Sequence, residues 1–512
     1  MHSTLTHPDL PAHSVLDALA ASGFDVDGPV SSSRAVLDTF DGRLHAEGLR
    51  LEHQAAPVAE LVLTGAPHVP AARLAWTKAA PTFGADLPRG PFGDRVASVI
   101  EERALLVSVA VSATTRTATR RDRRGKATVV VHVHDDLAQS HPGAASVALP
   151  WVAEVIGVTG HDGAFESTVT RLAALGCVLC DGGLVDAVAR VGEVSLAGHT
   201  SSPTIPMHPR QEALSAYRAV LANLAATITD NLDGTMEDID PEFLHELRVA
   251  VRRTRSVLAQ AKGVVPGDVR DRFREGFGRL GTITGPARDL DVYVMGWADM
   301  VAPLKLADPE VLVRVRKEIE RRRGAAHRDM AVALAGEETR RTLADWTAWL
   351  ADPDVEPERP RPVGPVVAAR IAKAQAAVLE HGRAIDPTSH PEALHDLRKD
   401  AKKLRYLLEC FGGLLPAKGR KAFVAQLKAL QDNLGDHQDA EVQLGELRTL
   451  AHDLHERARV DTDALLAMGR LSDHLDRRRQ HERDAFTTRF AAYDTKANRK
   501  ALDALLAEAA GA

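Results

Sequence analysis

The chain runs to 512 residues, 45% of them apolar and 26% charged, which excludes a disordered or fibrous protein and predicts two to four globular domains. Its formal charge of −6 excludes the strongly basic surface that attracts polyanions indiscriminately, so an anion site would have to come from cations gathered locally. Three cysteines, Cys177, Cys180 and Cys410, are too few for a disulfide framework, and a single Cys-x-x-Cys pair lacks the four ligands of a structural zinc site.

The chain opens on MHSTLTHPDL, without the basic-then-apolar plan of a secretion signal, and no uninterrupted apolar run reaches the roughly 18 residues of a membrane span. A cytoplasmic protein with no membrane partner is expected. Residues 1–200 read as an α+β domain on an antiparallel sheet. The β-rich runs "LRLEHQ" from Leu49, "AELVLTG" from Ala59, "RALLVSVAVSATTRTATR" from Arg103 and "ATVVVHVHDD" from Ala127 alternate with Gly, Pro and Asp turns. "DRRGKA" from Asp122 predicts a hairpin tip between the last two. "SSPTIPMHPR", residues 201–210, carries three prolines and reads as a linker. Helical periodicity dominates afterwards, with breaks at "DNLDGTMEDIDP", "KGVVPGD", "TGPARD", "GGLLPAKG" and "LGDHQD" among others. A proline-rich connector at 353–365 divides this region into helical bundles at 211–352 and 366–505.

The two bundles repeat one another. At an offset of 150 residues "HELRVAVRRTR" from His245 superposes on "HDLRKDAKKLR" from His395, and the same offset matches Leu280 with Leu430, Gly285 with Gly435, Asp289 with Asp439 and Val292 with Val442. A duplicated all-α unit with pseudo-twofold symmetry follows. At about 100° per residue, His245, Arg248, Arg252 and Arg255 fall within an arc of roughly 80°. His395, Arg398, Lys402 and Arg405 make the same stripe in the second copy, and Arg253 and Lys403 extend the two stripes on one side. Leu244, Leu247, Val251 and Leu258, with Leu394, Leu397, Leu404 and Leu408, form the adjoining apolar stripes.

Like charges stacked on one helical face work against the helix. Solvent makes no demand that His and Arg recur at identical phases in two copies, whereas an extended polyanion does, because Arg, Lys and His all donate to phosphate oxygens. Facing stripes would line a cationic groove. Asp289 and Asp439 read as acids at helix starts, with orientation of the stripe arginines as the other reading.

These residues resemble the conserved-histidine α-helical domain family (CHAD), marked by HxLRxxx(R/K)(R/K)xR-like motifs, over residues 209–505. The resemblance implies paired helical bundles enclosing a basic groove that binds inorganic polyphosphate, often at polyphosphate granules. Carried over position by position, the binding residues are His245, Arg248, Arg252, Arg253, Arg255, His395, Arg398, Lys402, Lys403 and Arg405. The second copy has lysine for two arginines and Gln438 where the first has Arg288, which implies a weaker grip. In the first domain "VLDTFDGRLHAEGLRLEHQ", residues 36–54, is similar to a strand–turn–strand segment of the CYTH, or triphosphate-tunnel, family. That family's catalysis implies an ExExK strand and further carboxylates to hold a divalent metal. No ExExK occurs, and Glu154 alone stands where alternating glutamates would be expected, so the first domain reads as a degenerate, tunnel-barrel-like CYTH domain.

The expected function is noncatalytic polyphosphate binding, with no cofactor and no metal site. The alternative is a triphosphate hydrolase or cyclase in the first domain, using carboxylates assembled from Glu52, Glu60, Asp135, Asp136 and Glu154. Metal binding by the repeated histidines is argued against by the flanking cations and by the lack of a carboxylate in register. Aromatic residues at 4% and a net acidic chain argue against nucleic acid, which needs platforms for base stacking.

Overall fold

The computed structural model describes residues 1–7, 9–65, 72–140, 147–180, 183–191, 197–199, 204–305, 309–357, 359–457 and 461–511. The chain divides into two compact units, Met1–Thr200 and Ser201–Ala512.

Unit 1 is an antiparallel sheet dressed with short helices. Its strands are β1 (His2–Thr6), β2 (Asp25–Val26), β3 (Val30–Asp38), β4 (Arg50–Ala56), β5 (Glu60–Thr64), β6 (Ala72–Ala75), β7 (Leu106–Arg121), β8 (Ala127–Ser140), β9 (Val147–Ala148), β10 (Val152–Gly157) and β11 (Val178–Cys180). The order is β11-β1-β10-β8-β7-β3-β4-β5-β6, with β2 on β7 and β9 on β8. The helices are α1 (Ala12–Ala21), α2 (Arg43–Ala46), α3 (Pro91–Ile100), α4 (Asp162–Ala174) and α5 (Leu184–Val191). The predicted hairpin tip closes as expected: the Asp122 carboxylate accepts the N–H groups of Arg124 and Lys126 at 2.8 and 2.9 Å, and Gly125 takes φ +76°. Strict alternation along β8 sorts its side chains. Val129, Val131 and Val133 bury against α1 and α4, while His132 and His134 turn to the opposite face with Glu154 of β10.

Unit 2 contains α6 (Ala213–Asp230), α7 (Leu232–Met236), α8 (Pro241–Gln260), α9 (Gly267–Ile283), α10 (Gly285–Met295), α11 (Trp297–Val301), α12 (Val313–Ala335), α13 (Glu337–Ala351), α14 (Val363–Ala384), α15 (Pro391–Cys410), α16 (Ala417–Glu456), α17 (Thr462–Tyr493) and α18 (Lys496–Ala510). The duplication is visible in the boundaries: α8 and α15 begin and end 150 residues apart, as α6 and α14, and α9 and α16, begin. Both motif helices start on a proline, whose missing N–H costs nothing there, behind a capping side chain. Asp240 accepts the N–H groups of Glu242 and Phe243, and His390 Nδ1 accepts that of Glu392.

Two backbone hydrogen bonds express the pseudo-twofold. Ala213 N–H donates to the Arg361 carbonyl at 2.9 Å and Val363 N–H to the Gln211 carbonyl at 2.8 Å, each bond being the other's counterpart at the same offset. The predicted linker therefore ends in a paired segment at 209–213, while its residues 201–203 lie outside the described residues. The predicted connector ends early, because α14 starts at Val363 and takes Pro365 into its first turn, where proline fits.

The two halves do not keep separate cores. Leu244, Leu247, Val251 and Leu258 of α8 and Leu394, Leu397, Leu404 and Leu408 of α15 share one apolar cluster, which reaches from Ala213 to Ala509. Each such leucine contributes about 1.5–3 kcal/mol by burial. A second cluster joins Tyr293, Trp297 and Ile319 of the first repeat to Leu447, Leu454 and Leu471 of the second.

The predicted break at "LGDHQD" is absent: α16 runs unbroken from Ala417 to Glu456. The first repeat does restart there, because Pro286 lacks the N–H that would continue the ladder, and Asp436 stands in its place in the second. No helix among the described residues is long and apolar enough to cross a membrane.

Candidate phosphate-binding seam

Burying the two leucine stripes in one core packs α8 against α15. Arg253 of α8 donates to Glu409 of α15 at 2.7 Å, and Arg405 lies 3.4 Å from the same carboxylate. Both guanidinium groups flank the ring of Tyr406, at 6.0 and 5.9 Å from its centroid. These two arginines are therefore structural ties as well as positive charges.

The other cations sort by what holds them. Arg248 donates to the Gly281 carbonyl at 3.0 Å and to Thr284 Oγ1 at 2.8 Å. Burial, reinforced by Arg252, pushes its pKa down to about 10. Arg398 reaches Asp439 at 3.5 Å. His395 Nδ1–H donates to the side-chain carbonyl of Gln438 at 2.6 Å. His245 is partly buried and has an interaction partner of its own.

Arg252 and Lys402 hold the same position in the two repeats. Among the described residues neither has an ion-pair or side-chain hydrogen-bond partner, which is also true of Arg255 and Lys403, but Arg255 is exposed and Lys403 lies beside the stripe, whereas Arg252 and Lys402 are partly buried within it. Burial pushes the Lys402 pKa down to about 8, with Arg398, Arg252 and Arg405 adding repulsion and only Asp439 opposing it. The charge of Arg252 on α8 thus reaches Lys402 on α15. Arg252 and Arg255 also line an open pocket with Ser256, Ala259, Arg274 and Glu275. Lys403 is half-buried on the far side of the α15 stripe.

The helix-start reading of the two aspartates is corrected. Asp289 lies beyond the first turn of α10 and Asp439 lies in the middle of α16. Asp439 sits beside Arg398, and the charge of Asp289 acts on Arg248, so both belong to the arginine network. The expectation that no carboxylate accompanies the histidines is also corrected: ligand atoms of Glu242, His245 and Glu246 lie within 4.8 Å of one another. Arg288, which donates to the Pro241 carbonyl at 3.0 Å, is a counter-charge for Glu242.

Sequence reasoning left out Arg274 and Glu409, and brought in Arg288 only as the counterpart of Gln438. The i,i+4 spacing of Arg405 and Glu409 was the available signal for Glu409. It also left out the small-residue face of α9. A side chain at Gly278 or Gly281 would meet Arg255 at 4.0 or 3.5 Å, and one at Gly285 would meet Arg248 at 3.7 Å.

In unit 1 the Glu154 carboxylate accepts the Leu184 N–H at 3.1 Å and lies 3.0 Å from His134 Nε2 and 3.3 Å from His2 Nε2. Burial raises its pKa, but hydrogen bonds from His134 and His2 outweigh this and hold the carboxyl well below its usual range. The Nδ1 of His134 meets Thr115 at 2.9 Å. Glu52 faces Arg34 at 3.8 Å, Glu60 is paired with Arg73, and the Asp136 N–H donates to Asp135. Among the described residues these five acids form no group that could hold a metal.

Residues 219–448 match the family model of the CHAD domain. The helical unit is a CHAD domain. Its match lies within unit 2 and includes both motif helices. Over 255 residues the chain is 29% identical to an uncharacterized protein of Mycobacterium tuberculosis strain H37Rv, covering 48% of this chain and 47% of that one. The chain thus spans about half the length of the curated relatives it matches. Two solved structures are similar. The CHAD domain from the plant Ricinus communis is 26% identical, with a TM-score of 0.45, covering 59% of this chain and 96% of that one. PptA from Streptomyces chartreusis is 16% identical, with a TM-score of 0.43, covering 55% and 100%.

Proposed function

We propose that this protein binds inorganic polyphosphate without turning it over, along the seam between α8 and α15 of its CHAD domain. The observation that carries the reading is the unpaired couple of Arg252 and Lys402. Lys402 and Arg252 stand partly buried at one repeat position with no acid paired to either, and burial together with the repulsion from Arg252 works against the charge of Lys402. A chain of phosphates relieves that repulsion and satisfies both. Arg248, Arg255, Arg398 and Arg405 flank the couple along their helices, and the pocket at Arg252, Arg255 and Arg274 extends the positive track. His245 and His395 stand one turn before Arg248 and Arg398. The seam carries no aromatic platform for bases: Tyr406 is buried between two arginines.

Titrating the intact protein with long-chain polyphosphate, with single-stranded RNA as competitor, tests this. Polyphosphate should bind and RNA of equal charge should displace it poorly; equal competition would point to a general polyanion site. The alternative, triphosphate hydrolysis or cyclisation in unit 1, draws on the Glu154, His134 and His2 cluster, and unit 1 reads as a tunnel-like domain without a carboxylate cage. Phosphate release from triphosphate with Mg²⁺ or Mn²⁺, abolished by Glu154→Gln, would favour it.

Cytoplasmic residence, with association at polyphosphate granules, belongs to the same proposal. Fluorescent fusions of the wild-type chain and an Arg252→Glu variant test it by their overlap with granules.

A further inference from the structure

Lys402 is a partly buried lysine with no acid partner among the described residues, in contrast to Lys399 on the same helix, which is exposed and pairs with Asp396 at 2.6 Å. Helical spacing puts Arg398 one turn before it and Arg405 one turn after it on the same face of α15, and α15 packs against α8, where Arg253, the neighbour of Arg252, pairs with Glu409 at 2.7 Å; the charges of Arg252 and of Asp439 on α16 act on the lysine. A partly buried amine flanked by arginines along its helix suits one kind of reagent: a small molecule whose phosphate docks on the arginines and whose electrophilic carbon then lies beside the nitrogen.

We propose that Lys402 is an acylation site, modified without an enzyme by acyl phosphates that dock through their phosphate on Arg252, Arg398 and Arg405. The inference rests on the reading of the seam as a phosphate site. The Nζ lone pair attacks the acyl carbon, the bond from that carbon to the bridging oxygen breaks, and inorganic phosphate leaves with the electron pair. The surplus amine proton passes to the departing phosphate or to water. The arginines hold the phosphate and stabilise it as a leaving group, so the lysine need not be charged for docking. Its depressed pKa supports this: at about pH 7.5 about a quarter of the Lys402 side chains are free amine, against about 0.1% for an ordinary lysine. The product is a neutral amide, which removes the positive charge of Lys402. Acylation therefore weakens polyphosphate binding, and bound polyphosphate shields Lys402 from acylation.

The test incubates the full-length protein with acetyl phosphate near neutral pH and measures acetylation at each lysine by peptide mass spectrometry, with Lys399 as internal reference. Polyphosphate titration of unmodified protein runs in parallel. Lys402 should react at least about tenfold faster than Lys399, part of its free-amine advantage being returned through lower basicity. That preference should fall on Arg252→Gln, on saturation with polyphosphate, and when N-acetoxysuccinimide, which carries no phosphate, replaces acetyl phosphate. Equal rates at Lys402 and Lys399, or a preference that survives in a folded Arg252→Gln variant, overturn the proposal. Polyphosphate binding without Lys402 preference sinks the acylation alone; loss of both sinks the phosphate site itself.

Discussion

Replacing Lys402 by methionine should make the empty protein more stable and polyphosphate binding weaker. Methionine keeps the length and helix preference of lysine and discards the charge. Holding the ammonium at a pKa of about 8, against about 10.5 for an ordinary lysine, costs the protonated side chain about 3 kcal/mol, and partial contact with water reduces this to about 1–3 kcal/mol. The sign follows from linkage. Below about pH 8 folded and unfolded chains are both protonated and the folded one bears the whole cost. Between about 8 and about 10.5 the folded chain has lost a proton that the unfolded chain keeps, so the wild type regains stability as pH rises. Denaturant unfolding followed by helical circular dichroism, at pH values either side of this window, measures it. Lys402→Met should exceed the wild type by about 1–3 kcal/mol at neutral pH, with the gap closing toward pH 10.5. A variant less stable than the wild type at neutral pH would show that Lys402 is a structural lysine satisfied by the fold, and the repulsion argument would fail.

Other consequences follow from the same seam. Polyphosphate affinity should fall with salt at a slope of about −0.7 per neutralised phosphate, by analogy with single-stranded nucleic acid, and Arg252→Gln should make the slope shallower by about one such contact; isothermal titration across salt concentrations checks both. Polyphosphate affinity should also decline as pH rises through about 8, where Lys402 loses its proton, and Lys402→Met should abolish that step. Glu409→Gln should act in opposite directions on stability and binding. It releases Arg253 and Arg405, costing about 1–3 kcal/mol in denaturation, while the added net positive charge tightens polyphosphate in titration. In the core, Leu247→Ala should cost about 2–5 kcal/mol in the helical transition, because it opens a cavity beneath the motif helix.

The motif helices were legible because two periodicities coincide in them. Leucines at one phase and cations at the next say where the helix buries and what it presents, and repetition at 150 residues ties both to one register. α8 and α15 accordingly bury every leucine and valine assigned to their apolar stripes. What distinguishes one stripe cation from another was not legible. Arg253 and Arg252 are neighbours in sequence, yet only the crossing of α8 and α15 places Glu409 against the first and leaves the second without an acid. The break at "LGDHQD" was misread because glycine and polar residues suggest a turn, whereas a helix tolerates Gly435 at about 1 kcal/mol when packing against α17 supports it. The aspartates were misplaced for the same reason, since a helix start was expected where α16 continues. In unit 1 the alternation of valine and histidine along β8 gave the strand and its faces, but the joining of His2, His134 and Glu154 across three strands depends on register between segments 150 residues apart.

The most direct measurement of the central claim is a titration of long-chain polyphosphate against the intact protein and against the double charge reversal Arg252→Glu with Lys402→Glu. Binding that collapses by a hundredfold or more in the folded double variant is the predicted result. Undiminished binding would place the polyanion elsewhere and contradict the account.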